Sequence, residues 1–270
     1  MPQPRGFNMP LSLPRRFICD MLHFARRVPS VPVQRRMQLG DVVAARSRAE
    51  PRPSWCGIFT KAYALVTEAN PVLRRSYLSF PWPHLYQHPT NVATIAIERR
   101  FGDEDAVFFV HLTHPETRPL VEIDAKLHRY KELPLDQVST IRQAMRTARW
   151  PLPVRRFLWW FGLNVSGAKR AHFFGTSGIS VYGGLGAASL HPLSVLTSTL
   201  NYGVIDPDGG LDVRLIYDHR VLDGSTVARA LAELEGALHG PILRELWSLA
   251  VATPGENETA ELAPAPQFAP

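Results

Sequence analysis

The residues Tyr217-Asp218-His219-Arg220-Val221-Leu222-Asp223-Gly224 stand where the hydrophobic period of the chain changes. Before them, Leu211, Val213, Leu215 and Tyr217 alternate with Asp212, Arg214, Ile216 and Asp218, the two-residue repeat of a strand. After them, Val227, Leu231, Leu234 and Leu238 recur at three- and four-residue spacing, the stripe of an amphipathic helix. His219 is thereby placed on a strand-to-helix connection, which can hold a side chain rigidly while presenting it to a substrate. An imidazole titrates near neutrality, so this is the residue type best suited to take a proton from a thiol, hydroxyl or amine. A histidine satisfied at a strand end beside a surface aspartate is the ordinary structural reading of the same residues.

Working toward the N-terminus, the segments 195–204 and 177–182 read as further strands. A basic, Trp-rich segment occupies 152–166, and helical stretches occupy about 119–132 and 136–148. The runs VATIAIE (92–98) and AVFFVHL (106–112), joined by RRFGDED, read as a hairpin. From Ser54 to about Ala69, Ile58, Phe59, Ala62, Leu65, Val66 and Ala69 form one helical face, closed by Asn70-Pro71. A short helix over 15–27 leads through Pro29 into a strand, VPVQRRMQL. Residues 1–10 and 251–270 are rich in Pro, Ala and polar residues without period and are expected to be disordered tails around one domain, 11–250.

With 45% hydrophobic and 20% charged residues over 270 positions, the chain can bury a substantial core, which excludes disorder of the whole. Two cysteines, Cys19 and Cys56, lack metal-ligand spacing and disulfide density and are expected as buried thiols in a reducing compartment. No continuous apolar segment suggests a signal peptide or a membrane span, and a cytoplasmic location is expected. The net charge of +6 suits a phosphate-rich partner such as coenzyme A as well as nucleic acid. No zinc-finger spacing or aromatic RNA-binding signature accompanies it, so no nucleic-acid partner is expected.

The stretch 217–224 resembles the HxxxDG signature of chloramphenicol acetyltransferase and, more closely, the DHR-x-x-DG of the catalytic domain of 2-oxoacid dehydrogenase dihydrolipoyl acyltransferases. Gly175-Thr176-Ser177-Gly178-Ile179-Ser180-Val181-Tyr182-Gly183 is similar to that family's GTFTISNLG stretch, and LSLPRRFICDMLHFARRVPSVPVQRRMQL to its opening. SWCGIFTKAYALVTEANPVLRR resembles the helix and Pro-containing turn of both relatives. Together these matches span about 11–240. The resemblance implies an α/β fold of two layers, a mixed sheet with helices on one side, assembled as a homotrimer or multiple of trimers with active sites between subunits. It implies His219 as general base, Ser180 as donor to the tetrahedral oxyanion, and Asp223 as a loop-fixing acid paired with Arg15 or Arg16. Gly224 would allow a tight exit into the helix.

The function so implied is acyl transfer from an acyl thioester, acyl-coenzyme A, to a thiol, hydroxyl or amine. The alternative is a non-catalytic core subunit, or one that borrows the lipoyl group of another protein, because nothing in the sequence resembles a lipoyl domain. The family's GLxxPV-like stretch is replaced around Val107-Phe108-Phe109-Val110-His111, which leaves the acyl and acceptor pockets unassigned, and the Trp-rich segment is no family hallmark. Trp159 and Trp160 between paired arginines suggest peripheral contact with an anionic bilayer, against packing in the core or trimer interface. His84 with His88, and His111 with His114, lack the third ligand of a metal site and are expected as surface or loop residues, so no metal is expected. Gly183-Gly184-Leu185-Gly186 lacks the following helix and the acid of a dinucleotide fingerprint.

Overall fold

The computed structural model describes residues 6–181, 186, 187 and 189–250. Six strands form one mixed sheet in the order β1 (Ser30–Gln38), β8 (Gly210–Asp218), β7 (Ser198–Tyr202), β6 (Ser177–Ile179), β4 (Val92–Phe101), β5 (Glu104–Thr113). β6 runs parallel to both of its neighbours and the other pairings are antiparallel. A separate hairpin joins β2 (Arg75–Leu78) to β3 (His84–Gln87).

The apolar alternation of β8 points Leu211, Val213, Leu215 and Tyr217 to one face. There they join Ile95 and Ile97 of β4, Phe108 and Val110 of β5, and the apolar stripes of α3 (Trp55–Ala69) and α8 (Gly224–Ala237) in the main core. Helices α2 (Gly40–Arg48), α4 (Leu120–Glu132) and α9 (Leu243–Ser248) contribute Val42, Ile123 and Leu246 to it. The expected helical layer thus covers this face. The opposite face is also partly covered, because Phe17 of α1 (Leu13–Ala25) lies 6.2 Å from Phe109 of β5. α6 (Leu152–Asn164) and α7 (Gly167–Phe174) complete that second, smaller layer: Trp159 is buried against Phe17 at 5.2 Å and Phe174 at 4.9 Å, and stacks on Phe24 at 6.0 Å. α5 (Ser139–Ala148) packs beside α1 and β5.

Several expectations change. β8 is buried along both faces apart from the half-buried Asp212, so the residues that alternate with its apolar set are covered as well. Between the Trp-rich segment and the strand expected from 177 lies α7, for which no helix was expected and whose start is capped by Ser166. The β2–β3 hairpin and α2 had no periodic signal strong enough to read. β6 ends at Ile179, and its expected continuation to 182 passes out of the described residues at Tyr182. The glycine-rich run, except Gly186, and the expected tails, except residues 6–10, also lie outside them. Cys19 is exposed on α1 and Cys56 half-buried, so neither sits in the deep core expected.

Candidate active site

His219 follows the last residue of β8, and its backbone N–H donates to the carbonyl of Pro29, 3.0 Å away, at the exit from α1. The turn closes on Asp218, whose carbonyl accepts from Val221 and Leu222; the buried Leu222 anchors the loop and α8 starts at Gly224. The imidazole is held at its root and left half-exposed, with a side-chain accessibility of 50%. Its Nδ1 lies 3.8 Å from Asp223 Oδ1, too far for a hydrogen bond and close enough for attraction when the ring is protonated.

The bracing of this loop is done by Asp218, for which no separate role was expected. Its carboxylate is buried and accepts from the Arg220 N–H at 3.0 Å, from Nε at 2.9 Å and from an Nη at 2.7 Å. The Arg220 guanidinium in turn covers the Tyr77 ring at 4.2 Å. Beneath it the buried Arg170 donates to the carbonyls of Tyr77, Leu163 and Val195. Burial pushes the Arg170 guanidinium down to about 10, with Asp218 opposing the shift. An acid and a base flanking His219 at one-residue spacing were the signal for this brace.

Asp223 does not play the part expected of it within the chain. Its side chain is 83% exposed, makes no cap bond to α8, and has the His219 ring as its neighbour at 3.8 Å. Arg15 lies 3.6 Å from Glu104, and Arg16 Nε donates to the Leu11 carbonyl. The reason is geometric. Both arginines sit in the first turn of α1 beside the far end of β5, whereas the other end of α1 leads to Pro29 and His219. The acid of α1 that is buried with arginine is Asp20, which accepts from Arg155 Nε at 2.7 Å and lies 3.2 Å from Arg156 Nε. Gly224 opens α8 without a positive φ, and a Cβ there would make ordinary contact with Tyr217 Oη at 3.5 Å, so the exit does not require glycine.

Ser180 follows β6 directly. Its N–H donates to the Leu200 carbonyl at 3.0 Å and its own carbonyl accepts from Asn201 Nδ2 at 2.5 Å. Gly175 ends α7 two residues before the strand, and its φ of +81° and its close approach to Thr94 Oγ1, 2.1 Å from where a Cβ would stand, leave room for glycine alone. Ser180 borders two cavities, of about 410 and 850 Å³, that share Ala96, Glu98 and Val107; His219 lines neither. The sheet register gives the separation. Ser180 is level with Leu200 and Asn201, and Asn201 pairs with Arg214, five residues before His219 on β8. Five residues along a strand and two strand spacings across place the two Cα atoms about 19 Å apart. Within one chain they do not share a reaction centre.

Two histidines expected at the surface are not there. His88 is buried with Nε2 2.9 Å from Ser76 Oγ, and burial, with Arg170 and Arg74 nearby, pushes it down to about 4. His111 faces the smaller cavity and burial likewise pushes it down to about 4. Among the described residues no group of three or more His, Cys, Asp or Glu side chains is placed to hold a metal ion. None of their helices is long and apolar enough to cross a membrane. Trp159 is buried and therefore cannot rest on a bilayer; Trp160 is half-buried between Phe80 and Phe157.

No protein-family model matches the chain, and no curated protein matches it in sequence. Among solved structures it is similar to the cubic core of the pyruvate dehydrogenase multienzyme complex, with a TM-score of 0.65 at 17% identity over 90% of this chain and 95% of that one. It is similar to the dihydrolipoamide acetyltransferase of Azotobacter vinelandii, in which a serine, a histidine and an asparagine were investigated for roles in the catalytic mechanism. There the TM-score is 0.64 and the identity 17%, over 90% and 94% of the two chains. A probable dihydrolipoamide acetyltransferase from Listeria monocytogenes gives 0.62 at 14% identity, over 87% and 94%. The chain has the fold of these acyltransferase cores.

Proposed function

We propose that this chain, folded as the catalytic cores of 2-oxoacid dehydrogenase complexes are folded, is an acyltransferase that moves an acyl group from acyl-coenzyme A to a thiol, hydroxyl or amine. The observation that carries the reading is His219 itself: a half-exposed imidazole on a loop fixed by Pro29, Asp218 and Leu222, at the strand-to-helix junction of this fold. The polar groups of the loop bond its backbone and one another, and among the described residues none hydrogen-bonds a ring nitrogen of His219, which leaves the ring open to accept a proton.

The ring takes the proton of the attacking group, which adds to the thioester carbonyl. Ser180 Oγ donates a hydrogen bond to the oxyanion that forms, where a bond made chiefly in the transition state counts most. When the carbon–sulfur bond breaks, the imidazolium returns the proton to the leaving thiolate. Since His219 and Ser180 lie about 19 Å apart by strand geometry, and reacting groups must approach to about 3–3.5 Å, the centre is completed by a second copy of the chain. A closed homotrimer satisfies this with three equivalent centres.

The test is release of coenzyme A from a panel of acyl donors in the presence of thiol, alcohol and amine acceptors. His219→Ala should lower kcat by about 10²–10⁴ with the oligomer intact, because proton transfer alone is removed. Activity kept within a factor of about two would end the assignment of His219 as base. A chain inactive with every free acceptor, but active once a lipoylated partner domain is supplied, would instead be a core subunit that borrows its lipoyl group.

A further inference from the structure

The smaller of the two cavities at Ser180 lies between α1, the sheet face bearing Thr94, Phe109 and Thr199, and the segment 189–196. Its volume of about 410 Å³ falls in the range of pockets that enclose a small-molecule ligand. Phe17, Ile18, Met21, Phe109, Trp159 and Phe174 are among the apolar side chains of its wall. The charged side chains that reach it, Arg15, Glu98 and Asp105, stand at the end where α1 begins and the β4–β5 hairpin turns. Ser180 is one of the uncharged polar groups along the rest, with Thr94, His111, Ser189 and Ser194. Another is Thr199, whose hydroxyl is buried without a partner among the described residues. Beside them, burial keeps the His111 ring neutral at physiological pH. Leu22, Phe173 and Leu193, which line the cavity, are each about 40% exposed, so apolar surface continues from the interior to the outside of the molecule.

A cavity lined mainly by apolar side chains with a few hydroxyls placed among them suits an occupant that is mostly hydrocarbon with a polar end. At about 30 Å³ per non-hydrogen atom it has room for about a dozen such atoms, far more than an acetyl group occupies. Ser180 marks where the polar end of an occupant would lie.

We infer that this cavity receives an uncharged hydrocarbon group of about a dozen non-hydrogen atoms, so that the substrate class is an acyl chain or an acceptor with a medium-length apolar body. The inference rests on the acyl-transfer reading only for the carbonyl or nucleophile placed at Ser180. Two sources of the same chemistry are separable, the acyl group of the donor and the body of the acceptor.

Binding is measured with the His219→Ala protein, in which donors are not consumed, by equilibrium titration of saturated acyl-coenzyme A thioesters from two to sixteen carbons and, separately, of primary alkanols of the same lengths. Each added methylene that enters the cavity should tighten binding about three- to fourfold, up to a plateau near ten to twelve carbons. Dependence in the thioester series assigns the group to the donor, and dependence in the alkanol series assigns it to the acceptor. Ile18→Trp, which fills the cavity, should move the plateau to shorter chains, and Phe109→Ala, which enlarges it, to longer ones. The opposite signs keep the test decisive if one variant fails to fold. Affinity independent of chain length in both series, or plateaus unmoved in both variants, would overturn the inference. Chain-length dependence in a wild-type protein that transfers no acyl group would keep the cavity and remove the acyltransferase reading, whereas flat binding in an active enzyme would do the reverse.

Discussion

The separation of Ser180 from His219 makes a quantitative demand on assembly. Five residues of β8 and two strand spacings put about 19 Å between their Cα atoms, a gap that two side chains and a thioester carbonyl cannot close at contact distance. If both residues serve one reaction, each centre must take them from different chains. His219→Ala and Ser180→Ala variants should each be nearly inactive alone, the second losing about 10²–10³ in kcat with KM little changed, since its bond is to the oxyanion. Unfolded together in equal amounts and refolded, their subunits assort at random. A centre is then intact when its His219 comes from one variant and its Ser180 from the other, which gives about a quarter of wild-type activity when centres act independently. The assay is initial-rate coenzyme A release, with mixed oligomers demonstrated by native mass spectrometry. A mixture as inactive as its components, with mixed oligomers present, would refute the reasoning, and either the closed trimer or the role of Ser180 would have to go.

Two further outcomes concern stability. Asp20→Asn should leave Arg155 and Arg156 without their buried partner and cost about 3–5 kcal/mol in chemical denaturation; Asp223→Asn, on an exposed carboxylate, should stay within about 0.5 kcal/mol. Equal stabilities for the two variants would remove the structural distinction between these acids. The buried histidines set a pH dependence. Because burial holds His88 at about 4, below the 6.5 of a free imidazole, the unfolded chain binds a proton that the folded chain refuses. Folding stability should therefore be full above about 6.5 and fall as the pH drops toward 4, by up to about 3 kcal/mol from this residue, with His111 acting in the same direction. A His88→Gln protein should show a shallower loss of Tm over this window, and a slope identical to wild type would contradict the burial argument.

What the sequence determined by itself was local and periodic. The alternation of 211–217 and the helical stripe 227–238 fix β8 and α8, and with them the junction that carries His219, because each pattern is set by neighbours within a few residues. The motif resemblance extended this to the fold of the acyltransferase cores, and that reading of the architecture holds. Only tertiary structure decided what depends on distant partners. β6 was legible as an extended run within 177–182, but its parallel pairing with β4 and β7 was not, so the level of Ser180 in the sheet, and its distance from His219, could not be read along the chain. The buried acid of α1 is Asp20, selected by Arg155 arriving from α6, and the motif acid Asp223 is left in solvent because Arg15 and Arg16 lie at the wrong end of α1. Trp159 is inside because α1 and α7 close over it, while its neighbours on the same helix, Phe157 and Leu158, are not covered. In each case composition supplies a residue that can be buried or charged, and the packing of remote elements decides whether it is.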